Sequence, residues 1–431
     1  MRTVLVIAYY FPPLGMGGVQ RTLKFVKYLP QYGWLPLVLT TKGVAYRCLD
    51  HTLIDEVPRQ VEVHRIEGFE LRRVLALRGQ PRGELLERLD RKGGGLARWL
   101  FIPDTKVIWS IAAAQAGSRL MPSRHVDVLF ATAPPYSSLL TGLILKRLTR
   151  KPLVLDFRDA WSTHPARRFP TPFHRALDRT FERKALLGAD RVIAINASIC
   201  HELRRLLPDG SPRRFEVIPQ GYDPDDFPAE SPTHPGESMR ISYVGTLGPW
   251  APSEPLLRGL RHALDSGRIS AHQIELRFIG HATAEERQMP YRYGLENLVT
   301  FVPYLPHQES VRELLEADVL WLSIAPFLGP TITTGKLYEY LASGKQILAS
   351  VPQETDAASV LDQSGAAIRV DPDDTRGMEQ ALVRLHQMYR EDRLAPPPWT
   401  RLGDHDRRVL AQRLASVLDG VVDRTQRRSN G

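Results

Sequence analysis

Apolar runs of strand length alternate with segments of helical period along almost the whole chain. A break falls at Phe227–Ser238 (FPAESPTHPGES), where proline, serine and acidic residues replace the alternation. Thr3–Tyr9 (TVLVIAY) is apolar throughout, as a strand covered on both faces must be, and runs into Pro12-Pro13 and glycines. Val19–Tyr32 then has helical spacing, Gly33 punctuates it, and Pro36–Thr41 is the next run, which makes a βαβ unit. Val126–Thr132, Pro152–Asp156 and Arg191–Asn196 continue that half. After the break the predicted strands are Arg240–Val244, Glu275–Ile279, Leu298–Phe301, Val319–Ile324, Gln346–Ser350 and Ala367–Val370. The pattern predicts two doubly wound α/β domains, over residues 1–226 and 239–390. Pro396-Pro397-Pro398 then precedes an amphipathic helix over Asp406–Val422, so residues 391–431 read as a tail and helix packing back on the first domain. Sheets of this kind bind ligands beyond the carboxyl ends of their strands, so a cleft between the domains is the expected site.

With 431 residues, 43% of them hydrophobic and 24% charged, the composition is that of a globular protein. No apolar run approaches the ~18 residues of a membrane span, and Met1-Arg2-Thr3 opens directly into a strand, which predicts a cytoplasmic protein. Cys48 and Cys200 stand in unrelated contexts, so neither a disulfide framework nor a cysteine metal site is expected. The net charge of +9 suits a phosphorylated substrate or anionic lipid. No zinc-finger spacing or aromatic–basic signature accompanies it, so nucleic acid is not an expected partner. Leu71–Leu100 reads as an arginine-rich surface insertion, with Arg72, Arg73, Arg78, Arg82, Arg88, Arg91, Lys92 and Arg98. It could rest on the inner face of an anionic membrane; a solvated basic face is the alternative.

Chemistry gathers at the turns after strands. Thr333-Thr334-Gly335-Lys336 opens a short helix, where unpaired amides and the positive dipole end suit an anion. Glu339 follows a turn later and could accept hydrogen bonds from sugar hydroxyls; the alternative is a capped helix with a surface Lys–Glu pair. Gly17 and Gly18 open the first helix and would let backbone amides approach a ligand; a plain tight turn is the other reading. A dinucleotide site is disfavoured, because the G-x-G-x-x-G spacing is absent and the second strand ends in Thr40-Thr41-Lys42. Asp156-Phe157-Arg158-Asp159 closes a strand. Asp159 is the candidate for binding or deprotonating an acceptor hydroxyl, and Arg158 for meeting an acceptor phosphate, unless the two merely shape the loop. Trp161 forms an apolar wall for the acceptor or simply packs. Gly245, Thr246 and Gly280 follow strands in the second half and would allow close approach of nucleotide or phosphate. Asp223-Pro224-Asp225 and Asp371-Pro372-Asp373 resemble a metal-holding Asp-x-Asp, but Asp-Pro turns explain both, and no metal or other cofactor is expected.

In order along the chain, Gly17-Gly18-Val19-Gln20-Arg21, Asp156-Phe157-Arg158-Asp159-Ala160-Trp161, Ala189-Asp190-Arg191-Val192-Ile193, Val217-Ile218-Pro219-Gln220-Gly221-Tyr222-Asp223, Tyr243-Val244-Gly245-Thr246-Leu247 and Gly335-Lys336-Leu337-Tyr338-Glu339-Tyr340-Leu341 resemble the GT-B-fold glycosyltransferases, specifically the retaining glycosyltransferase family 4 type. The resemblance covers nearly the whole length. It implies two Rossmann-like domains facing a cleft, and transfer of a sugar from a nucleotide-diphosphate donor to an acceptor hydroxyl, with retention. The acceptor would be a carbohydrate or a lipid-linked glycan, in surface polysaccharide or glycolipid assembly. The resemblance places Tyr304-Leu305-Pro306-His307 where related enzymes hold the base, making His307 a nucleotide-binding candidate. Two departures stand out. The family pairs two glutamates eight positions apart; Glu339 matches the second, but Thr331 holds the first position. The arginine and lysine that usually follow the first strand of the second domain are missing from Gly245–Trp250, and Lys336 would supply that charge. A nucleotide-sugar epimerase and a non-catalytic nucleotide-binding scaffold share these features and stay open as alternatives.

Overall fold

A computed structural model describes residues 1–42, 48–67, 99–207, 215–228, 236 and 238–429. Nearly all of the basic insertion and most of the proline-bearing break lie outside the described residues, and with them the eight cations named above. The chain divides into two compact units, one of Met1–Pro219 with Arg408–Gly431, the other of Gln220–Arg407.

The first unit contains β1 (Arg2–Ile7), α1 (Gly17–Tyr28), β2 (Trp34–Thr41), β3 (Glu62–Ile66), α2 (Val107–Arg124), β4 (Val128–Ala133), α3 (Ser137–Thr149), β5 (Leu153–Phe157), α4 (Pro172–Gly188), β6 (Arg191–Ala194), α5 (Ala197–Arg204) and β7 (Phe215–Val217). Its parallel strands lie in the order β3-β2-β1-β4-β5-β6-β7. Successive side chains of a strand point to opposite faces, and here both faces are covered. Leu5 and Ile7 join Leu129, Leu153 and Leu155 under α2, α3 and α4. Val4 and Val6 join Val128, Phe130 and Val154 under Phe25 and Val26 of α1 and under Leu410, Leu414 and Leu418 of the last helix. That is why the strands read as continuous apolar runs. Thr171 caps α4 by accepting from His174 N, with Pro172 in the first turn.

The second unit follows the same plan with β8 (Met239–Val244), α6 (Glu254–Asp265), β9 (Ile274–Ile279), α7 (Ala284–Arg292), β10 (Val299–Val302), α8 (His307–Leu315), β11 (Val319–Ser323), α9 (Gly335–Ala342), β12 (Gln346–Ser350), α10 (Asp356–Ser364), β13 (Ala367–Val370) and α11 (Thr375–Arg390). Its order is β10-β9-β8-β11-β12-β13, again parallel. α12 (Arg407–Ser429) closes the chain. From Arg408 onward it belongs to the first unit, where Asp419 and Asp423 accept from Arg2 at 2.8 and 2.9 Å. Residues 391–407, expected to travel with that helix, stay with the second unit. Strand order reverses direction at β1/β4 in one sheet and at β8/β11 in the other. Each reversal opens a crevice at the carboxyl ends, and the candidate residues follow those ends.

Candidate functional site

In the second unit the geometry centres on the end of β8 and the start of α9. Tyr340, fully buried, receives the amide of Val244 at its hydroxyl (2.9 Å), which ties α9 to the strand end. One turn earlier, Lys336 Nζ donates to Tyr243 Oη at 2.5 Å and lies 4.2 Å from that ring's centroid. Tyr243 Oη in turn donates to the carbonyl of Thr246 at 2.9 Å. The ammonium is therefore held in a partly buried aromatic seat, and burial pushes it down to about 8, with Glu339 pulling the other way. Gly245 has φ +145, and a Cβ there would stand 2.3 Å from Lys336 Nζ. Gly280 has φ +117, and its Cβ would stand 2.2 Å from the carbonyl oxygen of Gly245. These two glycines, expected to make room for a ligand, first make room for the protein's own lysine and backbone.

Gly335 is different. It opens α9 with nothing within 4 Å of where a Cβ would be, and no side chain caps that helix. Thr334 precedes it in extended conformation, and the buried Oγ1 of Thr333 has no hydrogen-bond partner among the described residues. The helix start is thus an open set of donors beside a cation, which suits a diphosphate. The contrast makes a test. Gly245→Ala drives a Cβ into Lys336 and lowers both the unfolding temperature and nucleotide binding. Gly335→Ala leaves the unfolding free energy within about 0.5 kcal/mol of wild type while weakening nucleotide binding, read by thermal shift and calorimetry. His307 heads α8 with Nε2 3.0 Å from Asp226 Oδ2, an engaged position rather than a free one.

In the first unit, Gly17 and Gly18 are exposed at the start of α1, which also has no side-chain cap. Asp159 follows β5; burial raises its carboxyl, against the nearby charges of His164 and Arg158. Burial lowers the His164 imidazole while Asp159 raises it, and its Nδ1 accepts from Ala166 N at 3.2 Å. The two form a candidate proton-handling pair, and His164 is a residue that motif reading passed over. Two expectations are corrected. Arg158 does not face outward for a phosphate: its guanidinium donates to the carbonyls of Gly18, Ala133 and Pro134, and these bonds shape the turn. Trp161 offers no wall to an acceptor. It is fully buried, stacks on Tyr136 at 4.9 Å and donates Nε1 to Asp178 at 3.1 Å.

The loop that carries Asp159 is clamped from beneath. Glu182 accepts from Ser162 N, and Asp178 accepts from both Trp161 and Arg167. Sequence reading also missed a buried ion pair: Arg21 Nη2 meets Asp156 at 2.8 Å, Thr132 donates to the same carboxylate at 2.7 Å, and Arg21 reaches the carbonyls of Ile218 and Pro219. A carboxylate inside an apolar strand was the available signal, since it must find a cation. Asp223 and Asp371 each accept the amide two residues on at 3.1 Å, as Asp-Pro turns do.

The family model described as Glycosyltransferase Family 4 matches residues 51–226. Those residues, fewer than half of the chain, resemble a family 4 glycosyltransferase domain. The chain shares its GT-B fold along nearly its whole length with solved structures. A glycosyltransferase from Rickettsia africae is 12% identical, with a TM-score of 0.66 and 98% of each chain covered. Anabaena HepE in complex with UDP and glucose is 16% identical, with a TM-score of 0.63, covering 97% of this chain and 99% of that one. WaaG, a glycosyltransferase involved in lipopolysaccharide biosynthesis, is 12% identical, also at 0.63, covering 97% and 100%. No curated protein sequence matches this chain.

Proposed function

We propose that this glycosyltransferase holds a nucleotide-diphosphate sugar on its second unit, with the diphosphate at the start of α9, and transfers the sugar to an acceptor hydroxyl handled by its first unit. The observation that carries the reading is Lys336, whose ammonium is fixed by Tyr243 against Gly245, beside the open helix start at Gly335. Positive charge there stabilises the diphosphate as it departs. Glu339, one turn on, takes sugar hydroxyls, and Asp159 with His164 orients or deprotonates the acceptor. The transfer is retaining by resemblance. The acceptor is a carbohydrate or lipid-linked glycan of surface polysaccharide or glycolipid assembly, reached from the cytoplasmic face of the membrane. No described helix is long and apolar enough to cross a membrane.

Thermal shift with a panel of UDP, GDP, ADP and dTDP tests occupancy, because a ligand that binds only the folded state raises the unfolding temperature. Specific stabilisation by one of them, lost in Lys336→Met, supports the reading; no stabilisation by any overturns it. Turnover then separates the rivals. Free nucleotide with hydrolysed sugar marks an epimerase, and binding without any turnover marks a scaffold. The scaffold draws its support from Thr331, buried where the family has a glutamate.

A pH dependence follows. Lys336 is protonated below about 8 in the free protein, and a bound diphosphate holds the proton on. Affinity for the nucleotide diphosphate therefore falls as pH rises through 8, by about tenfold between pH 7 and 9. Calorimetry across that range reads it, and a flat profile removes Lys336 from the site.

A further inference from the structure

Three neighbouring helices of the first unit segregate their charge. α2, α3 and α4 lie side by side on one face of the sheet, sending Trp109, Leu139 and Leu186 into a single core. Within these helices the only carboxylates are Asp178 and Glu182, and both point inward, where they clamp the loop carrying Asp159. What faces outward is cationic: Arg147 and Arg150 at the end of α3, and Arg175, Arg179, Arg183 and Lys184 along α4 are exposed. Lys146 and Arg124 are already engaged by Asp190 and Glu62. Large aliphatic side chains stand among these cations. Ile111 is 62% exposed, Leu148 64% and Leu187 49%, with Ile144 one turn before Leu148 at 37%. Lys146, Arg147, Arg150 and Lys184 line an open groove of about 570 Å³ with Leu143 and Leu187.

We propose that this face docks on an anionic phospholipid bilayer, the aliphatic side chains entering the acyl boundary and the arginines meeting headgroup phosphates. The mixture decides the partner. A polyanion such as RNA rewards arginines alone and offers nothing to exposed isoleucine and leucine, whereas a lipid surface rewards both. The arginines flank the aliphatic residues with stems long enough to lie along them and still reach the phosphate layer. The proposal is independent of the basic insertion and of the donor site, since it rests on α2, α3 and α4 alone.

The experiment is sedimentation of the full chain with vesicles of phosphatidylcholine, with and without phosphatidylglycerol, at rising salt. The expected result is binding only to the anionic vesicles, weakened by salt. Leu148→Asp should reduce it, and Arg147→Glu/Arg183→Glu should reduce it by about tenfold or more. Both variants are to keep the wild-type unfolding temperature and the wild-type response to nucleotide, which separates failure of this surface from failure of the glycosyltransferase reading. Absence of vesicle binding at low salt overturns the proposal. So does binding that neither variant weakens, which would put the contact elsewhere on the chain. Sensitivity to Arg147→Glu/Arg183→Glu with none to Leu148→Asp, together with equal competition by tRNA, also overturns it and marks a polyanion surface.

Discussion

Lys336→Met sharply slows transfer and makes the second unit harder to unfold. Both effects have one origin. The ammonium sits against Tyr243 and Gly245 with little water, so its charge is destabilised, and its titration falls from 10.5 to about 8. The sign is fixed by the two states. Above pH 10.5 the lysine is neutral folded or unfolded, and its burial carries no charge penalty. As pH falls from 10.5 to 8 the unfolded chain takes up the proton first, and below about 8 the folded state bears the full penalty. Methionine keeps the apolar stem and removes the charge, which returns about 1–3 kcal/mol at pH 7. The loss of transfer is larger, about 10²–10³ in kcat, because a donor aimed at a departing anion acts where charge develops. Scanning calorimetry should show a gain of a few degrees in the same variant whose kcat collapses. Unchanged kcat would remove the lysine from the chemistry, and a lowered unfolding temperature would show that its charge is stabilising after all.

Arg21→Met produces the opposite balance in the first unit. Arg21 and Asp156 are each 1% exposed, so removing the cation leaves a buried carboxylate that keeps the hydrogen bond from Thr132 but loses its direct ion pair. Breaking such a pair costs about 3–5 kcal/mol, and the carbonyls of Ile218 and Pro219 lose their donor as well. Urea unfolding should show most of that loss. The double variant Arg21→Met/Asp156→Leu should recover more than half of it, since no unpaired charge remains. Failure to recover would place the stability in the carbonyl bonds to Ile218 and Pro219. The pair joins the first helix, the fifth strand and the last residues of the unit's first segment, and that linkage accounts for three of the motifs that carry the resemblance.

The legible parts of this chain were those whose signal is local. Gln346–Ser350 and Ala367–Val370 were read to the residue because each holds a short β-prone run that glycine or proline punctuates, Gly344 before the first and Gly365 and Pro372 around the second. Glu62–Ile66 was missed as an edge strand with charged outward positions, and Phe215–Val217 because three residues carry no period. The α9 start was legible because hydroxyl, glycine and lysine fall at consecutive positions. Arg158 and Trp161 were misplaced for the opposite reason. Their partners are backbone carbonyls, Tyr136 and Asp178, contacts that only the folded chain brings together. Tyr243 and Tyr340 escaped notice because each looks like an ordinary core aromatic, and only the oxygen at its tip does the positioning.

The last helix carries a consequence for synthesis. Leu410, Leu414 and Leu418 complete the layer over Val4, Val6 and Phe130, so an early strand is covered by residues made long after it. While the ribosome works through the second unit, that valine face has only the partial cover of Phe25 and Val26 from α1. A nascent chain in this state needs either a chaperone or speed. Expression of residues 1–219 alone should therefore yield aggregate, and supplying residues 408–429 as a separate peptide during refolding should rescue it.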